Sequence, residues 1–389
     1  MAMGPIYRRS GPKLRDMAGL YVHIPFCAQA CTYCDFHFTT ALGDRDRMAE
    51  ALLTELRAAL PNWSETPFST LYFGGGTPSV MSPSALARFA DVLRENGLWA
   101  VQEWTVEANP EDLTEAVLDA LLEAGVQRLS IGVQSFQADV LTWMKRIHGV
   151  DKAERAVRLA AERGFEHLSL DLIYGVPVGG PDRWERDLDI ALDLPVDHLS
   201  AYILTAEPKT LYGHQLDQGH LSPPPDDQVL AEYTTLCDRT RSAGFEHYEV
   251  SNFARPGGRS QHNSAYWNGI PYLGIGPGAH SHRGHERWWN GRSNARYMDL
   301  AEAGNLEPQR GREHLTREDQ FNEALMTGLR RLEGVDPDAL LAQTGLDVRS
   351  APALPGLLDS GRCAWREGRL AVPEQHWPAG DAITLELMP

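Results

Sequence analysis

The chain has 389 residues, 42% of them hydrophobic, and sets 36 Lys and Arg against 53 Asp and Glu for a formal charge of −17. That length carries one large domain and a smaller one, while the acidic balance argues against a nucleic-acid partner and against docking on an anionic membrane. No apolar run is long enough for stable membrane insertion, so the expectation is a soluble, cytoplasmic protein.

Residues 1–18 carry Arg8, Arg9, Lys13 and Arg15 but no apolar stretch of the signal-peptide kind. They are expected to form a flexible N-terminal arm. Strands are then expected at Leu20–Ile24, Thr70–Phe73, Trp104–Glu107, Leu129–Val133, Leu168–Leu172 and Leu199–Ile203, all rich in Val, Ile, Leu, Tyr and Thr. Helical stripes lie between them. One is Ala49, Leu52, Leu53, Leu56 and Leu60; another is Val117, Leu118, Leu121 and Leu122, with Gly125 as its C-cap. Strand–helix alternation of this kind predicts a parallel sheet with right-handed crossovers.

Unusual residues fall at the ends of successive strands. A cysteine cluster follows the first, Gly74-Gly75-Gly76-Thr77 the second, Glu107 and Asn109 the third, Gln134 and Ser135 the fourth, Tyr174 and Gly175 the fifth. Functional residues at C-terminal strand ends mark a barrel rather than an open doubly wound sheet. Six strands imply an incomplete (β/α)6 barrel, giving an α/β fold. The alternation breaks after Tyr202, and Ser222-Pro-Pro-Pro225 precedes a helix starting near Asp226. From about Arg317 a helix with Phe321, Leu325 and Leu329 begins a small, mainly helical C-terminal domain ending in a hairpin. The expected division is a barrel with its extension over 19–305 and a C-terminal domain over 306–389.

Three of the five cysteines, Cys27, Cys31 and Cys34, fall within eight residues. Such clustering fits a metal or iron–sulfur site better than disulfides. Cys237 lies on the stripe Val229, Leu230, Tyr233, Cys237 and reads as a buried inert thiol, and Cys363 is read the same way. A C-x3-C-x2-C loop presents three thiolates, one short of what a [4Fe–4S] cube takes, which leaves one iron open. The competing assignment is structural zinc completed by His37 or His23, although no second cysteine pair is present.

The motif, with Tyr33 before the last cysteine, resembles that of the radical S-adenosylmethionine (SAM) superfamily. The resemblance implies a [4Fe–4S] cluster on Cys27, Cys31 and Cys34, whose open iron chelates SAM and whose electron cleaves it to a 5′-deoxyadenosyl radical. It also implies a SAM pocket built from Tyr21, Gly75, Gly76, Thr77, Glu107, Gln134, Arg146 and Asp171. These residues have suitable chemistry. Carboxylates take ribose hydroxyls or the ammonium, Arg takes the carboxylate, and the glycine run is expected to offer close approach and free N–H groups.

The string His23-Ile-Pro-Phe-Cys27 through Tyr33-Cys34-Asp-Phe36 is similar to that of oxygen-independent coproporphyrinogen III oxidases and, more closely, of radical SAM haem chaperones of the HemW type. The likeness extends to Glu249-Val-Ser-Asn-Phe-Ala, Gly274-Ile-Gly-Pro-Gly-Ala-His-Ser281 and Gly328-Leu-Arg-Arg-Leu-Glu-Gly-Val335. Phe36 stands where the oxidase has a further cysteine, and the first cysteine comes at residue 27 without the oxidase's longer N-terminal segment. Both departures put coproporphyrinogen decarboxylation in doubt. The chaperone resemblance implies haem as cargo, delivered to haem-free acceptor proteins of the respiratory chain. His262-Asn-Ser-Ala-Tyr266-Trp267 matches the HNxxYW haem motif, making His262 the expected axial ligand on a partly open surface, with His280, His282 and His285 in competition. An active oxidase-like enzyme and a binding module that never cleaves SAM stay open beside this reading.

Overall fold

The computed structural model describes residues 17–180 and 182–389. The expected N-terminal arm therefore lies outside the described residues, apart from Met17 and Ala18, and Ala18 already belongs to the first strand.

All six expected strands form. They are β1 (Ala18–Ile24), β2 (Phe68–Gly75), β3 (Trp99–Ala108), β4 (Arg128–Gln134), β5 (His167–Tyr174) and β6 (His198–Ile203). Each pairs in parallel with the next, and intervening helices cover the outer face as crossover connections require. Six short strands follow: β7 (Glu246–Glu249), β8 (Asn252–Ala254), β9 (Tyr272–Ile275), β10 (His280–Arg283), β11 (Glu286–Asn290) and β12 (Arg310–His314). The sheet order is β12-β11-β10-β9-β1-β2-β3-β4-β5-β6-β8-β7. The six-stranded barrel thus stays open, extended by parallel β9 on one edge and antiparallel β8 on the other.

Side chains alternate across these strands, as the two-residue period demands. Leu20, Val22 and Ile24 point outward and pack with Met48, Leu52 and Leu56 of the helix Arg45–Ala59. The inward set is polar: Tyr72, Thr105, Glu107, Arg128, Ser130, Ser169, Asp171, His198 and Ser200 surround a cavity of about 40 Å³. That space takes roughly one water molecule.

Local expectations fare well where caps and periodicity agree. Gly125 ends the helix Glu115–Ala124 at φ +104°, where a side chain would be strained. The helix Asp226–Ser242 buries Tyr233 and Cys237, but Leu230 is exposed, so its apolar stripe is narrower than expected. Cys363 is also buried. The helix Arg317–Gly328 begins with a capping box between Thr316 and Asp319. The hairpin Ala364–Arg366 with Arg369–Ala371 forms, but the helix Gly380–Glu386 follows, so the hairpin does not end the chain. β12 pairs with β11, so a C-terminal unit counted from residue 306 takes one strand out of the main sheet.

Candidate cluster and cofactor site

The cysteine loop leaves the C-terminal end of β1 and is pinned at its base. Cys27 N–H donates to the Thr39 carbonyl at 3.0 Å, and Thr39 N–H donates to the Pro25 carbonyl at 2.9 Å. Cys27, Cys31 and Cys34 are all half-buried. Two sulfurs already have donors: Thr77 Oγ1 to Cys27 Sγ at 3.4 Å, and Arg146 Nη1 to Cys31 Sγ at 3.5 Å. Burial, the largest cause, pushes the Cys27 thiol up to about 11 and the Cys34 thiol up to about 12. Bound iron would have to displace those protons.

The donor set suits a cluster better than one zinc ion. Among the described residues, the only His, Cys and carboxylate trio drawn within 4.8 Å of one another is Cys237, His247 and Glu374, not the cysteine loop. His23 Nε2 donates to the His37 carbonyl at 2.9 Å, and His37 Nε2 is 2.7 Å from Asn294 Oδ1. Both ring nitrogens of His23 and Nε2 of His37 are thus held by groups other than the sulfurs.

A hydrogen-bonded arc frames the loop. Arg146 Nη2 donates to Asn109 Oδ1 at 2.6 Å and to the Gly132 carbonyl, while Asn109 Nδ2 donates to Thr77 Oγ1 at 3.2 Å. The arc therefore runs Cys31, Arg146, Asn109, Thr77, Cys27, with a donor directed at the sulfur on each end. Asn109 stood out in the sequence only as a strand-end residue; what shows its part is its reach to both Arg146 and Thr77.

Glu107 and the glycine run lie at the C-terminal ends of β3 and β2, while Tyr21 and Asp171 stand midway along β1 and β5. Gly75 N–H donates to Glu107 Oε2 at 3.1 Å, Gly76 N–H to the Ile24 carbonyl at 2.9 Å, and Thr77 N–H to the Phe26 carbonyl at 2.7 Å. These three amides are therefore not free. The need for glycine is steric: a Cβ on Gly75, at φ +107°, would stand 2.3 Å from the His23 ring, and one on Gly76 2.6 Å from the Phe26 carbonyl oxygen. Glu107 also accepts from Tyr72 Oη at 2.8 Å. Asp171 accepts from Ser130 Oγ at 3.1 Å. Burial lifts the Glu107 carboxyl to about 7, aided by the negative Asp171, and lifts Asp171 to about 6. Tyr21 Oη meets His23 Nδ1 at 3.1 Å. Gln134 is held at φ +73°, beside a register shift between β4 and β5. A non-glycine residue pays for that conformation, as functional sites often do.

His262 departs from expectation. It is 2% exposed, with Nδ1 2.7 Å from Thr70 Oγ1 and Nε2 3.0 Å from Tyr266 Oη. Its ring stacks on Tyr72 at 4.8 Å. Gly19 and Thr70, its neighbours, lie near the starts of β1 and β2, so His262 sits at the barrel floor. The cluster loop leaves the other end of β1, about 16 Å away at roughly 3.3 Å per residue. As folded, both ring nitrogens are engaged, so the residue does not fit an axial ligand on an open surface. His280 and His285 are exposed and His282 is half-buried.

The sequence profile of the Radical SAM superfamily matches residues 21–191. The chain is 38% identical to the haem chaperone HemW of Mycobacterium tuberculosis over 346 residues, covering 88% of each. It is 35% identical to the haem chaperone HemW of Bacillus subtilis over 351 residues, covering 89% of this chain and 92% of that protein. Among solved structures it is similar to coproporphyrinogen III oxidase from Escherichia coli, a radical SAM enzyme, with TM-score 0.80 and 25% identity over 96% of this chain and 90% of the other. With an incomplete parallel barrel, a three-cysteine loop at its mouth and relatives matched over most of their length, the chain belongs to the HemW family of haem chaperones in the radical SAM superfamily.

Proposed function

We propose that this chain holds a [4Fe–4S] cluster on Cys27, Cys31 and Cys34, binds SAM beside it, and carries haem to haem-free acceptor proteins in the cytoplasm. The observation that carries the cluster part is the arc in which Arg146 and Thr77 donate to the Cys31 and Cys27 sulfurs. Such donors stabilise thiolate ligands and tune a cluster. For SAM, Glu107 and Asp171 would offer acceptors to its ammonium or ribose hydroxyls, and Arg146 would pair with its carboxylate. Tyr21, Gly75, Gly76, Thr77 and Gln134 shape the wall. When bound, the cluster and SAM supply one-electron chemistry that belongs to the cofactors, while the protein orients them and excludes water. Among the described residues no helix is long and apolar enough to cross a membrane.

The haem part is supported by the relatives named as haem chaperones, and no step is routed through His262. The oxidase reading is the weaker one, because Phe36, 74% exposed, stands where a further cysteine is expected of an oxidase. The test is anaerobic reconstitution followed by visible spectra with and without haem, and then transfer to an apo-acceptor. A brown, cluster-loaded protein that binds haem and passes it on supports the proposal. Stoichiometric protoporphyrinogen IX formed from coproporphyrinogen III would favour the oxidase.

A further inference from the structure

The helix Gln261–Trp267 presents two faces. His262 and Tyr266, four residues apart, point together into the barrel floor. Ser264, Trp267 and Asn268 share the opposite side, as the 3.6-residue period dictates, and line a cleft of about 350 Å³ with Tyr248, Arg259, Arg331, Glu333 and Arg369. Three guanidiniums thus face one carboxylate, in a chain whose overall charge is −17.

The charges there are unevenly satisfied. Arg259 is paired twice, with Glu246 at 2.7 Å and Glu333 at 2.7 Å. Arg369 reaches Asp336 at 3.4 Å and otherwise bonds backbone carbonyls of Glu333 and Gly334. Arg331 has no carboxylate partner among the described residues; it bonds Asn268 Oδ1 and the Gly334 carbonyl. Its Nε is buried with no acceptor, as is Trp267 Nε1. Burial holds the Arg331 pKa below its usual value, with Arg369 adding to that effect and Glu333 opposing it. Arg331 is thus the one guanidinium of the cleft without a carboxylate partner among the described residues, and beside Arg369 it suits an anion with several oxygens.

We infer that this cleft seats the two propionate carboxylates of haem, with Arg331 and Arg369 as donors and Trp267 in its wall. The inference rests on the haem-carrier reading above and gives it a place, on the barrel end opposite the cluster. Haem fits this chemistry because its charge is concentrated in two carboxylates on one edge of a flat apolar ring. A cleft of this size admits that edge and leaves the ring accessible for hand-over, whereas full enclosure would take a larger pocket.

The test titrates cluster-loaded protein with haem and with haem dimethyl ester, in which both propionates are neutral, and reads the Soret band. Wild type is expected to bind haem about 10-fold more tightly than the ester, the scale of one charge-assisted hydrogen bond. Arg331→Gln with Arg369→Gln should remove that preference and leave ester binding and iron content unchanged. Glu333→Gln removes the cleft's own competing carboxylate and should tighten haem binding about 3-fold, within the range of a partly exposed ion pair; it decides the matter if the double variant fails to fold. Equal binding of haem and ester by wild type, or an unchanged preference in a folded double variant, overturns the cleft while the haem-carrier reading stands. The latter outcome would leave the cleft to an acidic segment of an acceptor protein. Binding of neither compound by wild type overturns both readings.

Discussion

Arg146 and Asn109 meet at 2.6 Å, and that one hydrogen bond joins two strand ends into a frame around the cysteine loop. Arg146 follows β4 and Asn109 follows β3, yet both act on sulfur, one directly and one through Thr77. Removing the link should loosen the ligands without deleting any. Asn109→Ala is expected to weaken iron retention about 10- to 100-fold under chelator challenge, the usual cost of losing a partner that orients metal ligands. Iron loss at the wild-type rate would show the arc to be incidental.

The ligand set itself is separable from the other thiols. Cys27→Ala, Cys31→Ala and Cys34→Ala should each abolish the broad brown absorbance after reconstitution. Cys237→Ala and Cys363→Ala should keep about four irons per chain, the content of a [4Fe–4S] centre. Cys237 is buried against His247 and Glu374, near the β7 and β8 edge of the sheet. Loss of the cluster in Cys237→Ala would refute the assignment.

The six barrel strands and the cysteine loop could be read from the sequence because apolar runs and tight spacing are local signals. The polar lumen could have been read as well: Ser169-Leu-Asp171-Leu and His198-Leu-Ser200-Ala alternate with period two, but the apolar half of that pattern draws the eye first. The state of the glycine amides could not be read, since their acceptors Ile24, Phe26 and Glu107 lie on other strands or loops. Nor could the burial of His262, which depends on Gly19 and Thr70 far away in the chain leaving room for its ring. The three-arginine cleft unites residues 259, 331 and 369, and no short window of sequence contains them all.

SAM binding should depend on pH. Burial has raised Glu107 to about 7 and Asp171 to about 6, and the negative Asp171 adds to the Glu107 shift. As pH falls through those values both gain protons and lose the charge that attracts a cationic ligand, so SAM binding should weaken, approaching 10-fold per pH unit for each group once below its pKa. The linkage for folding has the opposite sign. Stability from these raised carboxyls is present below their ordinary values and is lost as pH rises through about 6 and 7. Asp171→Asn should flatten the SAM profile, read from the EPR spectrum of the reduced cluster with SAM added. An unaltered profile would remove Asp171 from the pocket.

Oxidase chemistry should be absent. Phe36 is exposed at the position where the oxidase pattern continues with cysteine, and coproporphyrinogen III incubated with SAM and a reductant should give no protoporphyrinogen IX. Phe36→Cys alone is not expected to confer it, because one thiol does not supply a substrate site. Clear product from the wild-type chain would reverse this conclusion.

The last prediction separates a structural His262 from a ligating one. The ring sits under the barrel, stacked on Tyr72 and bonded at both nitrogens to Thr70 and Tyr266. Burial pulls its pKa down to about 3, so it is neutral at ordinary pH. Replacing it with Ala deletes two buried hydrogen bonds and strands the Thr70 and Tyr266 hydroxyls, at about 1–3 kcal/mol for each polar group left unpaired. His262→Ala should therefore lower the melting temperature and loosen the helix Gln261–Trp267. Haem bound by the variant should keep the wild-type Soret position, because the iron loses no ligand, while affinity falls only as far as the loosened helix disturbs Trp267. His262→Asn, which can keep part of the hydrogen bonding, should recover part of the lost stability. A shifted Soret band in a variant of unchanged melting temperature would mean that the ring leaves the barrel floor to meet haem iron, and the structural reading of His262 would fail.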